Sequence, residues 1–137
     1  MLGRDPKIDL ISRAPLFARC SRRELAEVAG IADEIDLPEG KTLMEQGGSA
    51  HEFFVLLEGT AEVVKDGAPI RTLRDGDFFG EIALISRSPR TATVRTTSPV
   101  RALVIRAQEF RALLDHSPRI QIRVLEALAD RLAPETL

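Results

Sequence analysis

Between Asp33 and Arg106 no apolar stretch runs far before a turn signal breaks it, at Gly40, Gly47-Gly48, Gly59, Asp66-Gly67 and Asp75-Gly76. Short β-prone runs punctuated by glycine-bearing turns suit an antiparallel sandwich or barrel. Phe53-Phe54-Val55-Leu56-Leu57 and the run from Val100 to Ile105 carry the aromatic and β-branched residues of strands, while Ala92, Val94 and Thr96 alternate with Thr93 and Arg95. This pattern places the core between two sheets.

Helical signals flank the region. Asp5 followed by Pro6 reads as an N-cap with proline at the first helical position, and Ile8 and Ile11 then share a face. Ala14-Pro15-Leu16-Phe17 connects to a second helix, opened by the capping-box pattern Ser21-Arg22-Arg23-Glu24, carrying Leu25, Val28 and Ala29, and expected to stop at Gly30. At the other end one helix is expected around Ala107 to Asp115, using Phe110, Leu113 and Leu114, and another after Ser117-Pro118. In that last helix Ile120, Val124 and Leu128 recur every four residues, with Leu125 and Leu132 widening the stripe. The stripe suits packing against the sheet, a dimer contact or a movable lid.

Length and composition narrow the function classes. A chain of 137 residues fits one domain, and no hydrophobic run approaches the roughly 20 residues of a membrane span. The start, MLGRDPKID, lacks the apolar centre of a secretory signal, and the single cysteine, Cys20, has no intramolecular partner; both favour the cytoplasm. A net charge of −2 argues against a broad nucleic-acid surface, and two histidines with one cysteine make no metal cluster. His51 and His116 read as surface residues and Cys20 as a partly buried, unreactive one.

One segment breaks the β pattern: Phe78-Phe79-Gly80-Glu81-Ile82-Ala83-Leu84-Ile85, then Ser86-Arg87-Ser88-Pro89-Arg90-Thr91-Ala92. Gly80 can take backbone angles closed to other residues, and Glu-Ile-Ala-Leu after it favours a short helix whose first amides point outward as an anion site. Pro89 ends the excursion and sets Arg90 at the mouth of the next strand, where a guanidinium can fork onto two phosphate oxygens, with the Thr91 hydroxyl beside it. Glu81 would repel a phosphate unless its oxygens met a donor such as a sugar hydroxyl. A ligand with one phosphate and a free ribose hydroxyl, the layout of a cyclic nucleotide, satisfies both residues. An internal Glu81–Arg90 salt bridge is the alternative from these residues alone.

The run Phe79-Gly80-Glu81-Ile82-Ala83-Leu84, five residues, then Arg90-Thr91-Ala92-Thr93-Val94-Arg95-Thr96 closely resembles the phosphate-binding cassette of the cyclic nucleotide-binding domain family. The resemblance extends over nearly the whole chain. It implies an α+β, mainly β fold: N-terminal helices over 1–31, then an antiparallel, jelly-roll-like β-roll over 32–106. The cassette at 79–96 would hold a short helix, and two C-terminal lid helices would follow over 107–132. By the same resemblance the backbone amides of Gly80, Ile82 and Ala83 contact the phosphate, Glu81 takes the ribose 2′-hydroxyl, Arg90 pairs with the phosphate and Thr91 assists it. Arg131, with Leu128 behind it, is the residue implied to cap the purine; its charged surroundings equally suit a solvated side chain. Gly48 and Met44 depart from the family pattern and are expected not to touch the cassette.

The implied function is a sensor, not an enzyme, with no cofactor. Cyclic AMP is the expected ligand and cyclic GMP the alternative, because a hydroxyl residue at the position of Thr91 accompanies either in related domains. Ligand binding would move the C-terminal helices against a protein effector or a second copy of the chain. Too few residues follow Leu132 for a helix-turn-helix, and the initial methionine points to a stand-alone protein over an excised domain. Two other readings compete. One is a structural or dimerisation domain with a vestigial cassette; the other is a phosphodiesterase, which would need a metal site or water-activating base that the sequence does not offer.

Overall fold

The computed structural model describes residues 5–136, without the side chains of Ile82, Ala127 and residues 130–136. Asp5 caps α1 (Pro6–Ser12), its carboxylate accepting from the Lys7 and Ile8 amides at 2.8 and 3.4 Å. A 3-10 turn, Pro15–Phe17, leads to α2 (Arg22–Ile31). There Ser21 and Glu24 form the capping box, Ser21 N–H donating to Glu24 Oε1 at 2.9 Å and Glu24 N–H to Ser21 Oγ at 3.1 Å.

Gly30 does not stop α2. The helix runs through it to Ile31 and passes directly into a strand at Ala32. The Lys7 ammonium donates to the carbonyls of Ala29 and Ala32 at 2.6 and 2.5 Å, so a distant cation satisfies the helix end that a left-handed glycine would otherwise close.

Eight strands follow: β1 (Ala32–Leu37), β2 (Thr42–Met44), β3 (Glu52–Glu58), β4 (Ala61–Lys65), β5 (Ala68–Leu73), β6 (Phe78–Phe79), β7 (Thr93–Thr96) and β8 (Val100–Arg106). They form two antiparallel four-stranded sheets, ordered β1-β8-β3-β6 and β2-β7-β4-β5. At the β4–β5 turn Asp66 and Gly67 both take positive φ, 53° and 80°, the mirror-image geometry that a two-residue hairpin favours. Between the sheets and the C-terminal helices lies α3 (Glu81–Ser86); α4 (Ala107–His116) and α5 (Pro118–Thr136) end the described chain.

The core is not confined to the space between the sheets. On β3 the side-chain alternation sends Phe54 and Leu56 toward the second sheet, with Val94, Ala61 and Leu73, while Phe53, Val55 and Leu57 face the helices. The helical side is the larger cluster, joining Ile11, Phe17, Val28, Leu84, Phe110, Leu113, Ile120 and Val124. Phe53 stacks on Phe110 with centroids 4.3 Å apart.

Ile120 and Val124 of the α5 stripe therefore pack on the 3-10 turn and α4, with Leu128 partly buried against the same cluster. Leu125 does not widen the stripe; it is 58% exposed, and Leu132 lies outside the described side chains. Cys20 is half-buried against the core, and burial together with the nearby Glu24 carboxylate pushes its thiol pKa up. His51 and His116 are exposed. Among the described residues no helix is long and apolar enough to cross a membrane.

Candidate functional site

Phe78 and Phe79 still pair with Val55 and Phe54, so the break in the β pattern begins at Gly80, two residues later than the composition of the segment suggests. Gly80 turns the chain into α3 with φ 92° and ψ −3°. A β-carbon there would also lie 3.0 Å from Arg90 Nη1 and 3.1 Å from the Glu52 carbonyl oxygen. Positive φ and close approach thus both require glycine. Gly80 brings no side-chain acceptor to the helix start, and the first-turn amides of a helix have no intrahelical partner.

Arg90 returns from the Arg87–Pro89 bend onto this turn. Its Nη1 donates to the Gly80 carbonyl at 3.0 Å and its Nη2 to the Glu52 carbonyl at 2.7 Å, while the buried Nε makes no hydrogen bond. Arg90 is 4% exposed and Glu81 0%. Burial lowers the Arg90 pKa, and the negative charges of Glu52 and Glu81 raise it again. The result is a buried cation held by two neutral carbonyls, with donors in reserve and a buried carboxylate close by. Charges so withdrawn from water are stable only among polar partners.

Gly80, Glu81, Ala83, Arg90 and Thr91 line one cleft of about 490 Å³, within the roughly 300–1,000 Å³ of small-molecule sites. Thr91 is exposed at its edge. The side chains of Ile82 and Arg131 lie outside the described residues. Thr96, at the far end of the cassette, is buried away from the cleft, donating to the Pro38 carbonyl at 2.7 Å and accepting from the Lys41 amide at 2.8 Å.

Two positions expected not to touch the cassette do so. The Arg90 amide donates to the Gly48 carbonyl at 2.9 Å and the Gly47 amide to the Arg90 carbonyl at 2.8 Å, so this turn fixes the backbone of Arg90 from behind. A β-carbon on Gly48 would stand 3.0 Å from the Glu45 carbonyl oxygen, a tight approach. Met44 lines the cleft itself.

The apolar floor went unrecognised in the sequence. Val63, Leu73, Ala92 and Val94 line the cleft beneath the cassette, and Lys65, Ile70 and Arg71 border it. One signal was available, an isoleucine three residues after the Asp66-Gly67 turn; the structure leaves this Ile70 59% exposed at the mouth of the cleft.

The cassette is tied to the helices on its other side. Leu84, fully buried, belongs to the cluster of Phe110, Leu113 and Ile120, and Arg111 Nε donates to the Leu84 carbonyl at 3.3 Å.

Comparison with known proteins fits this geometry. The family described as Cyclic nucleotide-binding domain matches residues 34–117. The chain belongs to the cyclic nucleotide-binding domain family, and its two sheets with flanking helices are that family's β-roll. It is 34% identical over 106 residues to a cAMP-dependent protein kinase regulatory subunit of Aspergillus fumigatus, covering 76% of this chain and 26% of that protein. It is 31% identical over 122 residues to a cyclic nucleotide-gated potassium channel of Rhizobium etli, covering 89% of this chain and 34% of the channel. The chain thus spans about a third or less of these relatives. Among solved structures, cAMP-bound PfPKA-R superposes with a TM-score of 0.80 at 27% identity, covering 95% of this chain and 46% of that one. PKAR CBD2 with Sp-2Cl-cAMPS bound gives 0.78 at 27% identity, covering 94% and 88%.

Proposed function

We propose that this domain is a sensor that binds cyclic AMP in the cleft between the cassette and the second sheet. The observation that carries this reading is the pairing of a fully buried carboxylate, Glu81, with the nearly buried guanidinium of Arg90 on one wall of that cleft. Arg90 spends two donors on neutral carbonyls while its buried Nε makes no hydrogen bond, and a cyclic phosphate supplies an anionic acceptor for the donors that remain. The first-turn amides of Ile82 and Ala83, with that of Gly80, add donors to it, and Thr91 assists Arg90 at the rim. Glu81 accepts from the ribose 2′-hydroxyl, and the base lies on the apolar floor. Adenine is preferred to guanine because PfPKA-R and PKAR CBD2, both 27% identical to this chain, hold cAMP and its analogue Sp-2Cl-cAMPS.

Binding acts through Leu84 and Arg111. A ligand that draws the cassette inward moves a core residue shared with α4 and α5, and the helices follow only as far as the ligand prefers one arrangement. The effector is a protein, as in a regulated kinase or channel, or a second copy of the chain, and the module acts by binding and not by catalysis, in the cytoplasm. Calorimetric titration with cyclic AMP and cyclic GMP tests the reading directly. Stability should rise by about 2.7 kcal/mol at roughly a hundredfold excess over the dissociation constant. Failure of both nucleotides to bind overturns it.

A further inference from the structure

One cross-strand row traverses the second sheet from edge to edge. Met44 pairs with Val94, Val94 with Val63, and Val63 with Arg71, so all four side chains stand on one face, and all four line the cleft. Three strand spacings of about 4.8 Å make the row some 14 Å long, enough to carry a fused bicyclic base lying flat. Three members are apolar. The fourth ends the row on the outer strand β5 with an exposed guanidinium that no described hydrogen bond or ion pair engages.

Resting on the cyclic-nucleotide reading above, we propose that Arg71 is the base-clamping residue of this domain. Its aliphatic stem extends the platform, and its planar guanidinium folds over the outward face of the purine that Val63 and Val94 support from below. Arginine suits this place better than its cationic neighbour in the cleft, Lys65, because a delocalised, weakly hydrated plane stacks on a π face where an ammonium stays in water. The clamp comes from the sheet itself and is independent of the last helix. The same arginine would also blunt an exposed sheet edge against strand addition, but that role has no bearing on nucleotide affinity.

The test uses the intact chain as wild type, Arg71→Gln and Arg71→Lys, with two ligands: cyclic AMP and the baseless ribose 3′,5′-cyclic phosphate, each measured by displacement of a fluorescent cyclic AMP analogue. Arg71→Gln should weaken cyclic AMP about three- to thirtyfold, the span of cation–π contacts from exposed to desolvated settings, while leaving the baseless ligand unchanged. Arg71→Lys should fall between. Wild-type affinity for cyclic AMP in Arg71→Gln overturns the clamp and leaves the edge-protection role. An equal loss for both ligands overturns it too, by making Arg71 a long-range partner of the phosphate. If the wild type binds neither ligand, the cyclic-nucleotide reading itself falls.

Discussion

The Arg90 guanidinium and the Gly80 carbonyl meet at 3.0 Å, across the space that a β-carbon on residue 80 would enter. The turn that opens the cassette helix and the guanidinium proposed to grip the phosphate therefore share one small volume, so a change in one disturbs the other.

Gly80→Ala should accordingly lower both stability and affinity. The left-handed backbone alone costs an L-residue about 1–2 kcal/mol, and the added methyl also pushes Arg90 off its carbonyls. Denaturant unfolding and nucleotide titration on the same protein should both shift. An unaltered midpoint with unaltered affinity would show that the turn relaxes freely.

Arg90→Ala should weaken nucleotide binding by tenfold or more, since hydrogen bonds to charged groups contribute about 1.5–3 kcal/mol. Arg90→Lys should recover little, because an ammonium cannot span the Gly80 and Glu52 carbonyls and a phosphate together. Affinities equal to wild type in a folded Arg90→Ala protein would remove this residue from the site.

Acid should loosen the helical layer through Glu24. Its pKa is lowered first by the hydrogen bond from the Ser21 amide, and also by the Ser21 hydroxyl, Arg119 and the Ser117 hydroxyl. A carboxyl whose folded pKa lies below its unfolded one stabilises the fold above the ordinary carboxylate range and loses that contribution as pH falls through the folded value. Urea unfolding should therefore separate wild type from Glu24→Gln at pH 7 and bring them together at low pH. A gap that persists in acid would mean that charge is not what Glu24 contributes.

Leu84→Ala should destabilise the protein by about 2–5 kcal/mol as a core truncation. It should also blunt any nucleotide-induced change in protection of α4 and α5 in hydrogen exchange, while the Arg90 contacts with the Gly80 and Glu52 carbonyls stay in place. Undiminished transmission to the helices in this variant would place the coupling elsewhere, for example in Arg111.

The local devices were legible in the sequence because their chemistry is local. Asp5-Pro6, Ser21 with Glu24, and Asp66-Gly67 each carry their hydrogen-bond logic within four residues, and each forms the cap or turn expected of it. Gly30 misled because the group that replaces a glycine cap, Lys7, lies 22 residues from the Ala29 carbonyl. Phe78 and Phe79 escaped as a strand because a two-residue pairing with β3 has too little length for any periodicity. Of the site, the glycine, carboxylate and arginine stand close enough in sequence to be seen together. The row of Met44, Val94, Val63 and Arg71 across the cleft was hidden because its members come from four strands and acquire a common face only through register.

Leu84 gives the domain an obligation as well as a connection. A six-residue helix has little standing of its own in water, so α3 persists by virtue of the helices that hold Leu84. Linkage then runs in both directions with equal force. On the proposed coupling, a partner that loosened the helical cluster around Leu84 would discourage the nucleotide by the same factor by which the nucleotide discouraged that partner, and such an effector would set the sensitivity of its own sensor.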